Sequence, residues 1–154
     1  MAHQDADRMN EELKADFQPL PAGMLEHMQS RRAQLHALIA RGFPNDELGH
    51  TAADFELLQR IVDANTLKAE DVSDWEAMGI AFGDGLTTMI PGLAWVQVTD
   101  QYGTDAVLRY RGTSLQIGVV TMLLKRIETN EAVDIAHMAH WLQTFIEEKA
   151  HEYQ

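Results

Sequence analysis

At Pro91-Gly92 the spacing of apolar residues changes from every third or fourth position to every second one. No single element satisfies both periods, so the chain must be helical before this point and sheet-forming after it. Upstream, Met24, Leu25, Met28, Leu35, Leu38 and Ile39 share one helical face, opened by Pro21 at a first-turn position and stopped by Gly42 and Pro44. Thr51, with Asp54 three residues on, predicts a capped start for a second helix carrying Phe55, Leu58, Ile61 and Val62. Ser73 and Glu76 have the spacing of a capping box for a third, whose stripe runs through Trp75, Met78, Phe82, Leu86, Met89 and Ile90. Gly79 and Gly83 lie beside that stripe, and each mid-helix glycine costs about 0.5–1 kcal/mol relative to Ala. That cost predicts close packing of a neighbouring segment on the glycines; a copy of the chain meeting them is the alternative.

Downstream, Ala94–Thr99, Ala106–Arg111 and Ser114–Gly118 alternate apolar with polar residues across short connections, which predicts a three-stranded antiparallel meander. Val96, Val98, Leu108, Tyr110, Leu115 and Ile117 are expected on one face, and Trp95, Gln97, Thr99, Arg109, Arg111 and Gln116 on the other. Residues 119–129 and 134–150 read as two further helices. The expected class is α+β: three N-terminal helices, the meander and two C-terminal helices in one domain over 21–154, after a flexible acidic lead at 1–20.

A chain of 154 residues with 45% hydrophobic residues builds one core without covalent staples. The absence of cysteine excludes disulfides, zinc-thiolate sites and thiol catalysis within the chain. The N-terminal residues show no basic region leading into an apolar one, and the longest apolar stretch, Ile117 to Leu124, is too short for a bilayer. A cytoplasmic protein that does not engage a membrane is therefore expected. Charge is the most biased property. Twelve of the 24 carboxylates lie between Asp46 and Asp105, opposed only by Arg60 and Lys68, so this block carries −10 of the net −12. Such a block repels nucleic-acid phosphates and attracts basic proteins. The acidic faces around Asp54, Glu56, Asp63, Glu70, Asp71 and Asp74 are the expected contact with such a partner.

Seven words in order, among them Phe55-Glu-Leu-Leu-Gln-Arg-Ile61, Gly79-Ile-Ala-Phe-Gly-Asp84, Leu93-Ala-Trp-Val-Gln-Val98, Asp100-Gln-Tyr-Gly103 and Ala106-Val-Leu-Arg-Tyr110, resemble a bacterial family, the domain of unknown function 3806. The likeness spans about residues 53 to 135 and implies no particular reaction. Gly118-Val-Val-Thr121 departs from the family pattern, which has an apolar residue and a proline there.

No catalytic constellation emerges from the residues. His137 and His140 are three apart on the last predicted helix, but nothing apolar encloses them, so they read as a solvent-facing pair and no metal or cofactor is expected. Glu47-Leu-Gly-His50 and Glu148-Lys-Ala-His151 match Glu-x-x-His, yet the paired carboxylate bundles that use this element need four long helices. Gly83-Asp-Gly85 lacks both the preceding strand and the following lysine of a phosphate loop. Arg109 beside Trp95 and Gln97 is the expected ligand surface, since an arginine fork with a stacking ring grips carboxylates and other anions. The sequence favours a non-enzymatic acidic protein-binding domain, for instance an immunity-type inhibitor of a basic toxin or nuclease. The rival is a small-molecule or anion binder, or an enzyme, using that sheet face. A monomer or small homo-oligomer fits the net charge.

Overall fold

The computed structural model describes residues 15–153. Helix α1 (Ala22–Gly42) begins directly after Pro21, whose fixed φ suits a helix entry, and buries Met28, Leu35 and Ile39. A short 3-10 turn, Ala52–Asp54, then leads into α2 (Phe55–Asp63). Here the expected capping box forms: Thr51 Oγ1 accepts the Ala53 amide at 3.3 Å and the Asp54 carboxylate accepts the Thr51 amide at 3.3 Å. Helix α3 (Val72–Met89) is the centre of the domain, with every residue from Ala77 to Leu86 buried.

Its start departs from expectation. Ser73 lies inside the first turn and caps nothing; its hydroxyl accepts from Gln34 Nε2 of α1 at 3.0 Å. Glu76 accepts from Arg31 of α1 rather than folding back on its own helix. Partners on α1 thus outcompete the local cap.

Strands β2 (Leu93–Asp100) and β3 (Gly103–Tyr110) form a hairpin around Gln101-Tyr102, where the Asp100 side chain accepts the Tyr102 amide at 2.8 Å. Beyond β3, Arg111 and Gly112 take positive φ and turn the chain into β4 (Gln116–Ile117), much shorter than the alternation over 114–118 suggests. A fourth strand completes the antiparallel sheet in the order β1-β2-β3-β4: β1 (Asp16–Gln18) pairs with β2, Phe17 opposite Val98. The expected lead therefore contributes an edge strand, and its residues 1–14 lie outside the described residues. Two helices close the chain, α4 (Met122–Glu128) and α5 (Ile135–Lys149), the latter capped by Asp134, which accepts the His137 amide at 3.1 Å. The core joins buried residues of α2, α3 and α5 to Leu93, Leu108 and Ile117 of the sheet.

The tight hairpin corrects the expected assignment of sheet faces. With Asp100 paired to Gly103, Trp95 stands opposite Leu108 and Val96 opposite Val107. Directly paired residues share a face, so Trp95, Gln97, Leu108, Tyr110 and Ile117 lie together on the core side. Val96, Val98, Arg109 and Gln116 lie on the other. Grouping Val96 and Val98 with Leu108 and Tyr110, as expected, would need Val96 opposite Leu108, one residue out of the observed register, and one residue exchanges the faces.

The glycines of α3 carry the packing. A Cβ on Gly79 would stand 2.1 Å from the carbonyl oxygen of Val120, and one on Gly83 would stand 2.4 Å from the Trp95 ring. Both close approaches are made within one chain. Gly79→Ala is expected to lower unfolding stability by about 1–3 kcal/mol. Gly23→Ala, at a helical position where the Cβ meets nothing within 4 Å, is expected to raise it by up to about 1 kcal/mol. Denaturant midpoints of the two variants check this pair.

Candidate functional site

Only two polar side chains are buried among the described residues, Asp54 and Asp84. A buried carboxylate is tolerable only when donors surround it. Asp84 sits in the apolar run of α3 and receives four. Arg32 of α1 donates through Nε to Oδ2 and through Nη2 to Oδ1, both at 2.8 Å. Trp95 donates its indole N–H to Oδ1 at 3.0 Å, an approach that the missing side chain of Gly83 permits. His50 places Nδ1 3.2 Å from Oδ2. One carboxylate thereby ties α1, the loop before α2 and strand β2 to α3.

Asp54 serves the same loop. Its carboxylate accepts the amides of Gly49 at 2.9 Å, His50 at 2.7 Å and Thr51 at 3.3 Å. His50 is held at φ +61°, a left-handed conformation uncommon outside glycine. Both buried carboxylates thus act on His50, one through its backbone and one through its ring. The outer nitrogen of that ring, Nε2, lies 3.0 Å from Nε2 of His36.

A cavity of about 450 Å³ opens between α1, α3, the turn end of the β2–β3 hairpin and the start of α4. Met28, Ile80, Val98 and Val107 give it an apolar lining, and all four are buried. Glu76, Asp100 and Asp105 supply carboxylates, Lys125 a single cation, and Tyr102, 85% exposed, an aromatic ring at the mouth. Glu76 is already engaged by Arg31 Nε at 2.9 Å and His27 Nε2 at 2.5 Å.

The acidic residues expected at a partner contact separate into used and unused groups. Asp54 is buried as described. Asp71 accepts the Lys68 amide and Asp74 accepts from Gln34, and both are half-buried. Glu56, Asp63 and Glu70 are exposed, Asp63 accepting from Gln59 Nε2 at 3.0 Å, and among the described residues none has a cation within ion-pair distance. Elsewhere in the block, Asp46 receives two hydrogen bonds from Arg60, which hold its carboxyl below the ordinary value and the guanidinium above its own.

The expected ligand surface divides. Trp95 and Gln97 face the core side, both half-buried, while Arg109 is on the opposite face. There it donates to the carbonyls of Thr113 at 2.6 Å and Gly112 at 2.8 Å, and its guanidinium lies 4.0 Å from the centre of the Phe17 ring. Its fork holds the β3–β4 turn. Sequence reasoning missed Arg32, His36, His50 and Asp84 as a group. The usable signal was Asp84 itself, an acid between Phe82 and Leu86 in an apolar helix, with Arg31-Arg32 at hand to pair it.

The profile of the domain of unknown function 3806 matches residues 54–138, more than half of the chain. The chain belongs to this family. The matched region contains both buried carboxylates, the hairpin and α4, while Arg32, His36 and His50 precede it. No curated protein matches the chain. A crystal structure from Bacteroides thetaiotaomicron has the same fold, with a TM-score of 0.74 at 18% identity over 85% of this chain and 48% of that one. The chain thus spans about half the length of that relative.

Two outcomes follow from this geometry. Asp84→Ala is expected to cost about 3–5 kcal/mol, because it strands a partly buried guanidinium, and Arg32→Met combined with it should recover a substantial part of that loss. Urea unfolding of the two single variants and the double variant measures the coupling. In a carboxyl-detected NMR titration, Asp46 should titrate below the usual aspartate range and return to it in Arg60→Ala.

Proposed function

We propose that this chain is a non-enzymatic acidic binding domain that captures a basic protein, with the cavity receiving one lysine or arginine side chain of that partner. The observation that carries the reading is the composition of the cavity. Its apolar lining suits the methylene stem of such a side chain, and the carboxylates of Asp100 and Asp105 at the hairpin end suit its charged head. Arg31 offsets Glu76, so these two acids outweigh Lys125. Tyr102 offers a ring face for a cation. The exposed carboxylates of Glu56, Asp63 and Glu70 supply a wider field that draws a basic partner in.

An immunity-type inhibitor of a basic toxin or nuclease is the narrower form of this reading, supported by charge. Gly79 and Gly83 are covered from within the chain, which favours a monomer as the binding form. No helix among the described residues is long and apolar enough to cross a membrane. Lack of cysteine suits a reducing compartment such as the cytoplasm. A second reading keeps the same cavity for a small amine-bearing molecule, since its volume lies within the range of roughly 300–1,000 Å³ usual for such sites.

Affinity capture from host extract at low and at high salt, with identification by mass spectrometry, tests the proposal. A basic protein recovered at low salt and lost at high salt is expected, with binding weakened at least tenfold by Asp105→Lys and by Tyr102→Ala. Salt-insensitive capture, or capture indifferent to both substitutions, would overturn it. A low-mass ligand retained in native mass spectrometry, with no protein captured, would give the cavity to the second reading.

A further inference from the structure

We propose that His36 and His50 form a two-histidine site for a divalent late first-row transition ion, with Asp84 as the carboxylate that orients His50. The two Nε2 atoms meet at hydrogen-bond distance, 3.0 Å, from a helix and a loop 14 residues apart in sequence, and a bound ion would take the place of the shared proton. Metal–imidazole bonds of about 2.0–2.1 Å place two ligand nitrogens roughly 2.9 Å apart at a right angle and roughly 3.4 Å apart at the tetrahedral angle. The observed separation falls between these limits.

The tautomer follows from the second shell. Nδ1 of His50 faces the Asp84 carboxylate at 3.2 Å, so it carries the proton and leaves the Nε2 lone pair directed at His36. A histidine with its inner nitrogen on a carboxylate and its outer one free is the arrangement that fixes and strengthens a metal ligand. Arg32 offsets the charge of Asp84, and two imidazole nitrogens are a donor set that suits zinc, nickel or copper over magnesium or calcium.

The backbone of His50 is fixed as well as its ring. Asp84 engages the ring, and a second buried carboxylate, Asp54, accepts the amides of His50 and its two neighbours, with His50 alone of the three in the left-handed conformation. The side chain of His50 remains 36% exposed and His36 is exposed on α1, so solvent reaches the nitrogen pair. Two protein ligands leave positions for water or for a donor group of a bound partner. Among the described residues no third side chain of the type that binds metals joins them.

The test is calorimetric titration of the full chain with zinc chloride in a non-coordinating buffer, combined with long-range proton–nitrogen NMR of the histidine rings. One saturable site is expected, with the Nε2 resonances of His36 and His50 moving together on saturation. His36→Ala should weaken binding at least tenfold; as an exposed position on α1 it leaves the fold intact, which far-ultraviolet circular dichroism verifies. Asp84→Asn, where folded, should weaken it about 10–100-fold. The double variant His137→Ala, His140→Ala should leave it unchanged. Absence of saturable uptake, uptake unaffected by His36→Ala, or uptake lost in the α5 double variant would each overturn the proposal.

Discussion

A carboxylate buried in the middle of an apolar helix dictates much of this architecture. Asp84 has lost its water, and the structure replaces that water with the guanidinium of Arg32, the indole of Trp95 and the imidazole of His50. Each donor belongs to a different element, so satisfying one side chain fixes where α1, β2 and the loop before α2 meet α3. Glycine at position 83 is part of the same device: without a Cβ there, the Trp95 ring lies against the helix and its N–H reaches the carboxylate. A buried pair of this kind adds little net stability compared with an apolar equivalent, but it penalises every arrangement that separates the partners.

The helices were legible in the sequence because their cues are local. Pro21 and the Thr51–Asp54 box act within a few residues, and α1 and α2 start where these predict. The start of α3 was misread because Ser73 and Glu76 find partners on α1, and sequence spacing carries no information about a helix that far away. The sheet faces were misread for a related reason. Alternation specifies which residues of one strand lie together, while the match between strands depends on the two-residue turn at Gln101-Tyr102. The edge strand at Asp16–Gln18 is too short to announce itself by period.

The candidate site was less legible than the fold. Counting charges along the chain identified an acidic block, yet Arg31 and Arg32, outside that block in sequence, reach into it and bind Glu76 and Asp84. Space redistributes the charge that sequence concentrates. What survives as exposed acid is narrower, and the carboxylates beside the cavity lie at the hairpin end rather than on α2. His36 and His50 carry no spacing signal, since their meeting depends on a left-handed residue that Asp54 stabilises.

Hydrogen exchange of the three indole N–H groups tests most directly the claim that Asp84 organises the domain. The Trp95 proton, bonded to a buried carboxylate, should exchange only with global unfolding, in contrast to that of Trp141, which is 56% exposed and makes no comparable bond. Trp75, bonded to the Lys68 carbonyl, provides a protected reference from a different part of the core. Protection of Trp95 equal to that of Trp75 is the predicted result. Exchange of Trp95 as fast as that of Trp141 would show that its bond to Asp84 opens independently of the fold, and would contradict the central role given to that carboxylate.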